Sequence, residues 1–145
     1  MARKQIMLAR SIAQACLVMA LAAAPGSAVL AQVEGLRPLV RTPLPDALRK
    51  TFSVVEVTLP PGASAAPHRH GQAFVYAYVL EGAVRSQIEG APAVDYRAGA
   101  SWTEQPGAHH VLTRNLDAAK SARLLVVFVA PAGEPLKTDD PVKEP

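Results

Sequence analysis

Short runs of β-branched and aromatic residues, most of them closed by glycine or proline, follow one another between residues 51 and 130. Such runs at this spacing are typical of strands. The predicted strands are residues 51–59, 73–80, 83–88, 93–96, 101–104, 110–113 and 122–130. The last of them is a near-continuous apolar run, which is typical of a strand buried on both faces. With 13 prolines, 9 glycines and no long helical period, the chain is expected to fold as an all-β sandwich or barrel.

Residues 1–31 have the composition of a secretory signal peptide. Three basic residues stand within the first ten, an apolar run covers residues 15–24, and the small residue Ala31 precedes Gln32. The apolar run is shorter than the roughly 20 residues that a membrane-spanning helix needs. We therefore expect a Sec-type signal that is cleaved after Ala31, and a periplasmic or secreted protein with no stable membrane insertion. A retained signal anchor is the alternative.

The predicted signal peptide accounts for the net positive charge of the chain. The chain has 15 Lys and Arg residues against 12 Asp and Glu residues; the signal peptide holds 3 of the basic residues and no acidic one, which leaves 12 against 12. A balanced charge gives no reason to expect a nucleic-acid partner. The only cysteine, Cys16, lies in the signal peptide, so the mature protein is expected to have no thiol for catalysis, metal binding or disulfide formation.

Three segments are expected after the signal peptide. Residues 32–50 contain prolines and turn residues, and we expect a leader with one short helical turn before the barrel. Residues 51–131 contain all the predicted strands and are expected to form the barrel. Residues 132–145 are rich in proline and charge, so a flexible C-terminal tail is expected there.

All four histidines fall into two clusters, each at the start of a predicted strand. His68 and His70 flank Arg69, and side chains two residues apart project from the same face of a strand, about 6.6 Å apart along the chain. The second cluster, His109 and His110, can bring a third imidazole to the same point across a barrel. Three imidazoles around a metal with open positions are a common catalytic arrangement. A pair of solvated loop histidines at 68 and 70 is the alternative.

The two histidine clusters and the glycines around them resemble the two motifs of the cupin family. The residues that match the motif spacing are Gly62, His68, His70 and Gly82 in the first motif and Gly99, Gly107 and His110 in the second. The similarity extends from about residue 54 to about residue 129, and it is to small single-domain cupins of the quercetin-dioxygenase-like group. It implies a double-stranded β-helix, or jelly-roll barrel, with one divalent transition metal (Fe, Mn, Ni, Cu or Zn) held by His68, His70 and His110. His109 is expected to face away, because adjacent strand residues point to opposite faces.

The chain departs from the cupin pattern at three positions. Val75 stands where the family usually has a glutamate ligand, Gln105 replaces the proline of the second motif, and Asn115 comes one residue late after His110. Valine cannot bind a metal, so we expect a site of three histidines plus water, unless another group such as Gln72 or Glu104 reaches in. The resemblance gives precedents for a three-histidine site in some cupin dioxygenases, including thiol dioxygenases and a diketone-cleaving enzyme. Three neutral imidazoles leave the full +2 charge on the ion, which favours Lewis-acid or substrate-chelating chemistry.

Further candidates for contacts beside the metal or with a substrate are Gln72, Glu104, Tyr76 and Arg69. For Gln72, Glu104 and Arg69, a solvated surface side chain is the alternative. Phe74, Tyr76 and Tyr78 alternate with Val75 along the predicted strand, so an aromatic face is expected to point away from the barrel interior. We expect this face either to pack on another part of the chain or to form a homodimer interface.

The cupin resemblance implies oxygenase-type chemistry on a small, oxygen-bearing organic substrate, with no catalytic residue identified besides the metal ligands. A non-catalytic module that binds a metal or a small ligand is the alternative, and the absence of a glutamate at Val75 favours it. Sugar isomerisation or epimerisation, also found among cupins, ranks lowest because few charged residues are expected on the inward faces of the strands. In all three hypotheses the expected partner is a small molecule.

Overall fold

The computed structural model describes residues 34–47 and 49–141. The predicted signal peptide and the last four residues of the predicted tail therefore lie outside the described residues. The strands, β1 to β11 in chain order, are Gly35–Pro43, Lys50–Leu59, Ser64–Ala65, His68–Arg69, Phe74–Glu81, Ala83–Ile88, Val94–Arg97, Ser101–Glu104, His109–Asn115, Ala122–Pro131 and Thr138–Asp139. Among the described residues, no helix is long and apolar enough to cross a lipid bilayer.

The strands form two antiparallel sheets. One has the order β1-β2-β10-β5-β8, and the other has the order β11-β4-β9-β6-β7 with β3 paired to β9 at its side. Apolar side chains from both sheets form the core, among them Leu59 on β2, Val75 and Val79 on β5, and Val84 on β6, none of which is measurably exposed. The predicted all-β jelly-roll fold is confirmed.

The chain passes from the first sheet to the second at Gly82, between β5 and β6. Gly82 has a φ of 80°, in the left-handed region where residues with a Cβ are strained. A Cβ at this position would also lie 3.1 Å from the Cβ of Ala122, which is closer than atoms in van der Waals contact. Only glycine meets both requirements without a shift of the backbone.

Strand β10 lies at the centre of the first sheet, between β2 and β5. Its inward residues Leu124, Val126 and Phe128 are buried, whereas the outward residues between them are only partly buried. The prediction that residues 122–130 are buried on both faces is therefore wrong. The apolar run reflects one fully buried face and one half-covered face of a central strand.

The outer face of the first sheet is apolar, as the alternation along β5 predicts. Phe74 and Tyr76 are 38% and 37% exposed, and they stand opposite Val129 and Val127 of β10. This alternation places Tyr76 on the side of the sheet that faces away from the barrel interior. A homodimer through this face stays a prediction.

Both segments that flank the barrel differ from the expectation. Residues 35–43 form strand β1, which pairs antiparallel with β2. Two hydrogen bonds follow the strand: the N–H of Ala47 donates to the carbonyl of Leu44 at 3.3 Å, and the N–H of Lys50 donates to the carbonyl of Ala47 at 2.9 Å. The expected helical turn is thus replaced by a strand and turns in the described part of this segment. The C-terminal segment is packed as far as residue 141, because β11 pairs with β4 and the partly buried Leu136 packs against the core. Residues 132–141 thus contain a short strand and a residue packed on the core, and the flexibility of the C-terminal tail stays a prediction.

Candidate metal centre

Two of the predicted metal ligands lie opposite each other on neighbouring strands. His68 on β4 pairs in register with His110 on β9, and the two residues are 5% and 3% exposed, so both imidazoles point into the barrel. His70 follows β4 on the same side of the chain. One nitrogen of each of the three rings can be chosen so that all lie within 4.8 Å of one another. The structure therefore brings the three histidines together as the motif spacing implies.

Backbone carbonyls fix the orientation of two of these rings. Nδ1 of His68 donates to the carbonyl of Ala66 at 2.7 Å, and Nδ1 of His70 donates to the carbonyl of Leu136. A carbonyl only accepts hydrogen bonds, so the proton of each neutral ring must be on Nδ1. The lone pair of each ring is then on Nε2, and outer hydrogen bonds of this kind are the usual way in which proteins orient histidine ligands.

His110 is held by polar groups at both ring nitrogens. Its Nε2 lies 2.8 Å from Oγ of Ser86 and 2.9 Å from Oγ1 of Thr113, and its Nδ1 lies 3.1 Å from Oε1 of Glu104. The hydroxyl groups can donate to Nε2, whereas an ionised carboxylate only accepts, so Nδ1 of this ring carries the proton and Nε2 can carry the lone pair. Ser86 and Thr113 were not predicted as site residues. Strict strand alternation would place His110 and Thr113, three residues apart, on opposite faces of β9. An irregularity in the pairing of β9 with β6 lies between them and brings both side chains to the same face.

Glu104 lies inside the histidine cluster. Glu104 is 3% exposed and lies on β8, directly opposite Val75 of β5. Oε1 accepts a hydrogen bond from Nε1 of Trp102 at 3.1 Å. Oε2 lies 3.7 Å from Nε2 of His70 and has no hydrogen-bond partner although it is buried. The site thus contains a carboxylate beside the three imidazoles, because a side chain from the adjacent strand enters the cavity.

Burial and neighbouring charge set the protonation of the cluster. Burial lowers the pKa of His68 to about 4, against the opposing effect of its hydrogen bond to Ala66, and burial also lowers the pKa of His70. Burial by itself raises the pKa of Glu104, but the hydrogen bond and positive charge of His110, together with His70 and Trp102, outweigh it and lower the pKa overall. At neutral pH His68 and His70 are therefore neutral and Glu104 is ionised, which are the forms that bind metal.

The Cupin_2 family model, described as a cupin domain, matches residues 55–128, more than half of the chain. The chain belongs to the cupin family. Solved structures of similar fold include an oxalate oxidase, with 23% identity, 61% of this chain and 45% of that chain covered and a TM-score of 0.53. Another is the DMSP lyase DddQ from Ruegeria pomeroyi DSS-3, with 22% identity, 73% and 51% covered and a TM-score of 0.60. A third is KdgF from Halomonas sp., with 19% identity, 69% and 81% covered and a TM-score of 0.57.

These structural similarities show the cupin fold. This cupin spans about half the length of the oxalate oxidases that it matches, with 45% to 54% of those chains covered. No curated protein sequence matches it significantly.

The donor set of this cupin fits a divalent transition metal. Imidazole nitrogen suits Zn, Cu, Fe and Ni, and a carboxylate adds a ligand that suits Mn. The unpartnered oxygen of Glu104 supports this fit, because a buried carboxylate oxygen without a hydrogen bond is costly unless a cation is present. His109 faces away from the cluster, and its Nε2 lies 2.8 Å from Oδ2 of Asp140.

The other candidate residues lie outside this site. Gln72 is exposed, and its backbone N–H donates to Oε2 of Glu134 at 3.1 Å. The exposed Arg69 donates from Nη1 to the carbonyl of Gly107 at 3.1 Å, and Tyr76 lies on the outer face of the sheet. Strand alternation and loop geometry direct Gln72, Arg69 and Tyr76 to the surface, so none of them lies beside the three histidines, and their contact with a substrate stays a prediction.

The cavity beside the three histidines is small. Its volume is about 50 Å³, and its walls are mostly apolar, with Val57, Val126 and Phe128 among the lining residues. At about 10–15 Å³ for each water-sized probe, this volume admits an ion and a few waters or a very small ligand. Lys137 and Glu34, which form an ion pair, also line it. Neither of these residues was predicted, because they reach the cavity from segments that flank the barrel in the sequence.

Proposed function

We propose that this cupin holds one divalent transition metal at His68, His70 and His110 and catalyses oxygenase-type chemistry on a small, oxygen-bearing organic substrate. The observation that carries the proposal is the orientation of His68 and His70. Backbone carbonyls hold both rings so that the lone pair of each is on Nε2, and both rings lie close to His110. Rings held in one tautomer and one orientation are prepared for metal binding. A solvated histidine pair would need neither the burial nor these two hydrogen bonds.

A bound ion of this kind supplies Lewis-acid or redox chemistry at the positions that protein ligands leave open. The residues around it have separate roles in the proposal. Ser86 and Thr113 hold the ring of His110, and the apolar wall around Phe128 excludes bulk water. A dry, apolar wall strengthens the electrostatic attraction between the site and an anionic substrate such as an enolate. The cavity volume restricts the substrate to a very small one unless the segment that contains Leu136 moves.

A second candidate function is non-catalytic binding of a metal or a small ligand. The small volume of the cavity favours it, since about 50 Å³ leaves little room for a substrate beside an ion. The carbonyl of Leu136, which binds His70, also keeps the C-terminal segment against the site. Oxygen uptake distinguishes the two functions, because a binding module consumes no oxygen with any ligand.

Export remains part of the proposal. We propose that the chain acts in the periplasm or outside the cell, on the basis of the basic, apolar and small-residue pattern of residues 1–31. N-terminal sequencing of the protein recovered from a periplasmic extract should begin at Gln32. An intact Met1 in a membrane fraction would favour the retained signal anchor.

Oxygen consumption is the direct test of the catalytic proposal. Metal-loaded protein should be screened in an oxygen electrode with small enols, diketones and catechols, beside His70→Ala and beside Gln72→Ala as an exposed control. We expect uptake with at least one compound class, its loss in His70→Ala and its retention in Gln72→Ala. Turnover that persists in His70→Ala would exclude this site, and metal binding without uptake by any compound would support the binding module.

A further inference from the structure

Glu104 is a buried acidic residue to which the three-histidine site of the proposed function gives no role. The side chain enters the cavity from β8, and no lysine or arginine in the described part of the chain forms an ion pair with it. Trp102 donates a hydrogen bond to Oε1, Nδ1 of His110 lies 3.1 Å from the same oxygen, and Oε2 has no hydrogen-bond partner. A buried carboxylate oxygen is stable only with a hydrogen-bond partner or a cation, and Oε2 has no hydrogen-bond partner among the described residues.

The distance between Glu104 and His70 is close to that between two ligands of one ion. Oε2 lies 3.7 Å from Nε2 of His70, whereas Oε1 lies at hydrogen-bond distance, 3.1 Å, from Nδ1 of His110. Two donor atoms that are each about 2.1 Å from an ion lie about 3.0 Å apart at a right angle and about 3.6 Å apart at 120°. Oε2 is therefore placed where a further ligand of the histidine-bound ion would be.

We infer that Glu104 is the fourth protein ligand of the metal site, so that the donor set is three histidines and one carboxylate. The carboxylate comes from β8, across the sheet from the buried Val75. This inference rests on the metal site of the proposed function and adds a ligand to it. It reduces the net charge of the loaded site from +2 to +1, and it makes the site better suited to Mn²⁺ than three imidazoles are.

The register of β5 and β8 allows a matched test. Val75 and Glu104 are cross-strand partners and both are buried, so the double variant Val75→Glu/Glu104→Val moves the carboxylate to the facing inward position on the neighbouring strand. Glu104→Gln removes the charge but keeps an oxygen that can accept from Trp102. Glu89→Gln is the control, because Glu89 is an exposed carboxylate beside His109 and outside the cavity.

The measurement is the affinity for Mn²⁺, from titration calorimetry, with Mn²⁺ electron paramagnetic resonance as a second readout and circular dichroism as a check of folding. Loss of an outer hydrogen-bond partner typically costs about 10–100-fold in metal affinity, so loss of a direct ligand in Glu104→Gln should exceed about 100-fold. Glu89→Gln should bind as wild type does, and the double variant should bind Mn²⁺ more tightly than the folded Glu104→Val single variant.

Two results would overturn the inference in distinguishable ways. If Glu104→Gln binds Mn²⁺ as tightly as wild type while His68→Ala does not bind it, the histidine site stands and Glu104 is not a ligand. If the wild-type protein binds neither Mn²⁺ nor Zn²⁺, both this inference and the proposed function fail.

Discussion

Lowering the pH from about 7.5 to about 4.5 should destabilise the metal-free protein through His68. Burial lowers the pKa of this imidazole from 6.5 to about 4 in the folded protein, whereas the unfolded chain retains the ordinary value. Between these two values the unfolded chain binds a proton that the folded protein does not. Stability therefore falls as the pH decreases through this window, and the contribution is fully lost near the lower value.

The magnitude follows from the two pKa values. A difference between 6.5 and about 4, at about 1.4 kcal/mol for each pH unit, corresponds to about 3 kcal/mol of unfolding free energy when the whole window is crossed. At about pH 4.5 most of the window has been crossed, so the loss from His68 should be about 2–3 kcal/mol. His70 adds a loss of the same sign, because burial also lowers its pKa.

Urea unfolding of the chelator-treated protein at both pH values measures this effect. His68→Asn is the matched variant, because its side-chain N–H can still donate to the carbonyl of Ala66 while the titrating group is gone. The wild type should lose about 2–3 kcal/mol more than His68→Asn between the two pH values. Equal losses in the two proteins would refute the assignment of the acid sensitivity to His68.

Two further predictions concern the stability of the barrel, and a third concerns its oligomeric state. Asn115→Ala should lower the unfolding free energy by about 2 kcal/mol or more, measured with urea, because its Nδ2 bonds the carbonyls of Leu59, Pro60 and Lys120; an unchanged midpoint would contradict this role. Gly82→Ala should cost about 1–3 kcal/mol through its positive φ and its approach to Ala122, and a neutral effect would show that the turn relaxes. Light scattering at micromolar concentration should give the mass of a dimer for the wild type and of a monomer for Tyr76→Glu, whereas a monomeric wild type would exclude the homodimer.

The barrel strands could be predicted because alternation is a local property of the sequence. Residues 83–88 and 101–104 are strands with the predicted bounds. Strand β1 was missed because Pro38 and Pro43 argue against a strand in the interior of a sheet. Proline is tolerated on an edge strand such as β1, where the missing N–H need not bond a second neighbour.

The candidate site could be predicted only in part. The spacing of His68 and His70 indicates two imidazoles on one side of the chain, which is how the structure places them. The approach of Glu104 depends on its pairing with Val75 across 29 positions of sequence, and the carbonyl that orients His70 belongs to Leu136, 66 residues away. The alternation of apolar and polar residues does not show which distant strands pair or where the terminal segments pack. These contacts could therefore be found only from the structure.

Metal content tests the central claim most directly. The protein should be purified without a metal-affinity tag, and its bound metals should be quantified by inductively coupled plasma mass spectrometry beside His68→Ala, His110→Ala and the exposed control Gln72→Ala. The account predicts about one divalent transition metal for each wild-type and Gln72→Ala chain, and its loss in both histidine variants. Wild-type protein that stays free of metal after incubation with Mn²⁺, Fe²⁺, Ni²⁺, Cu²⁺ and Zn²⁺ would contradict it, as would histidine variants that retain the metal.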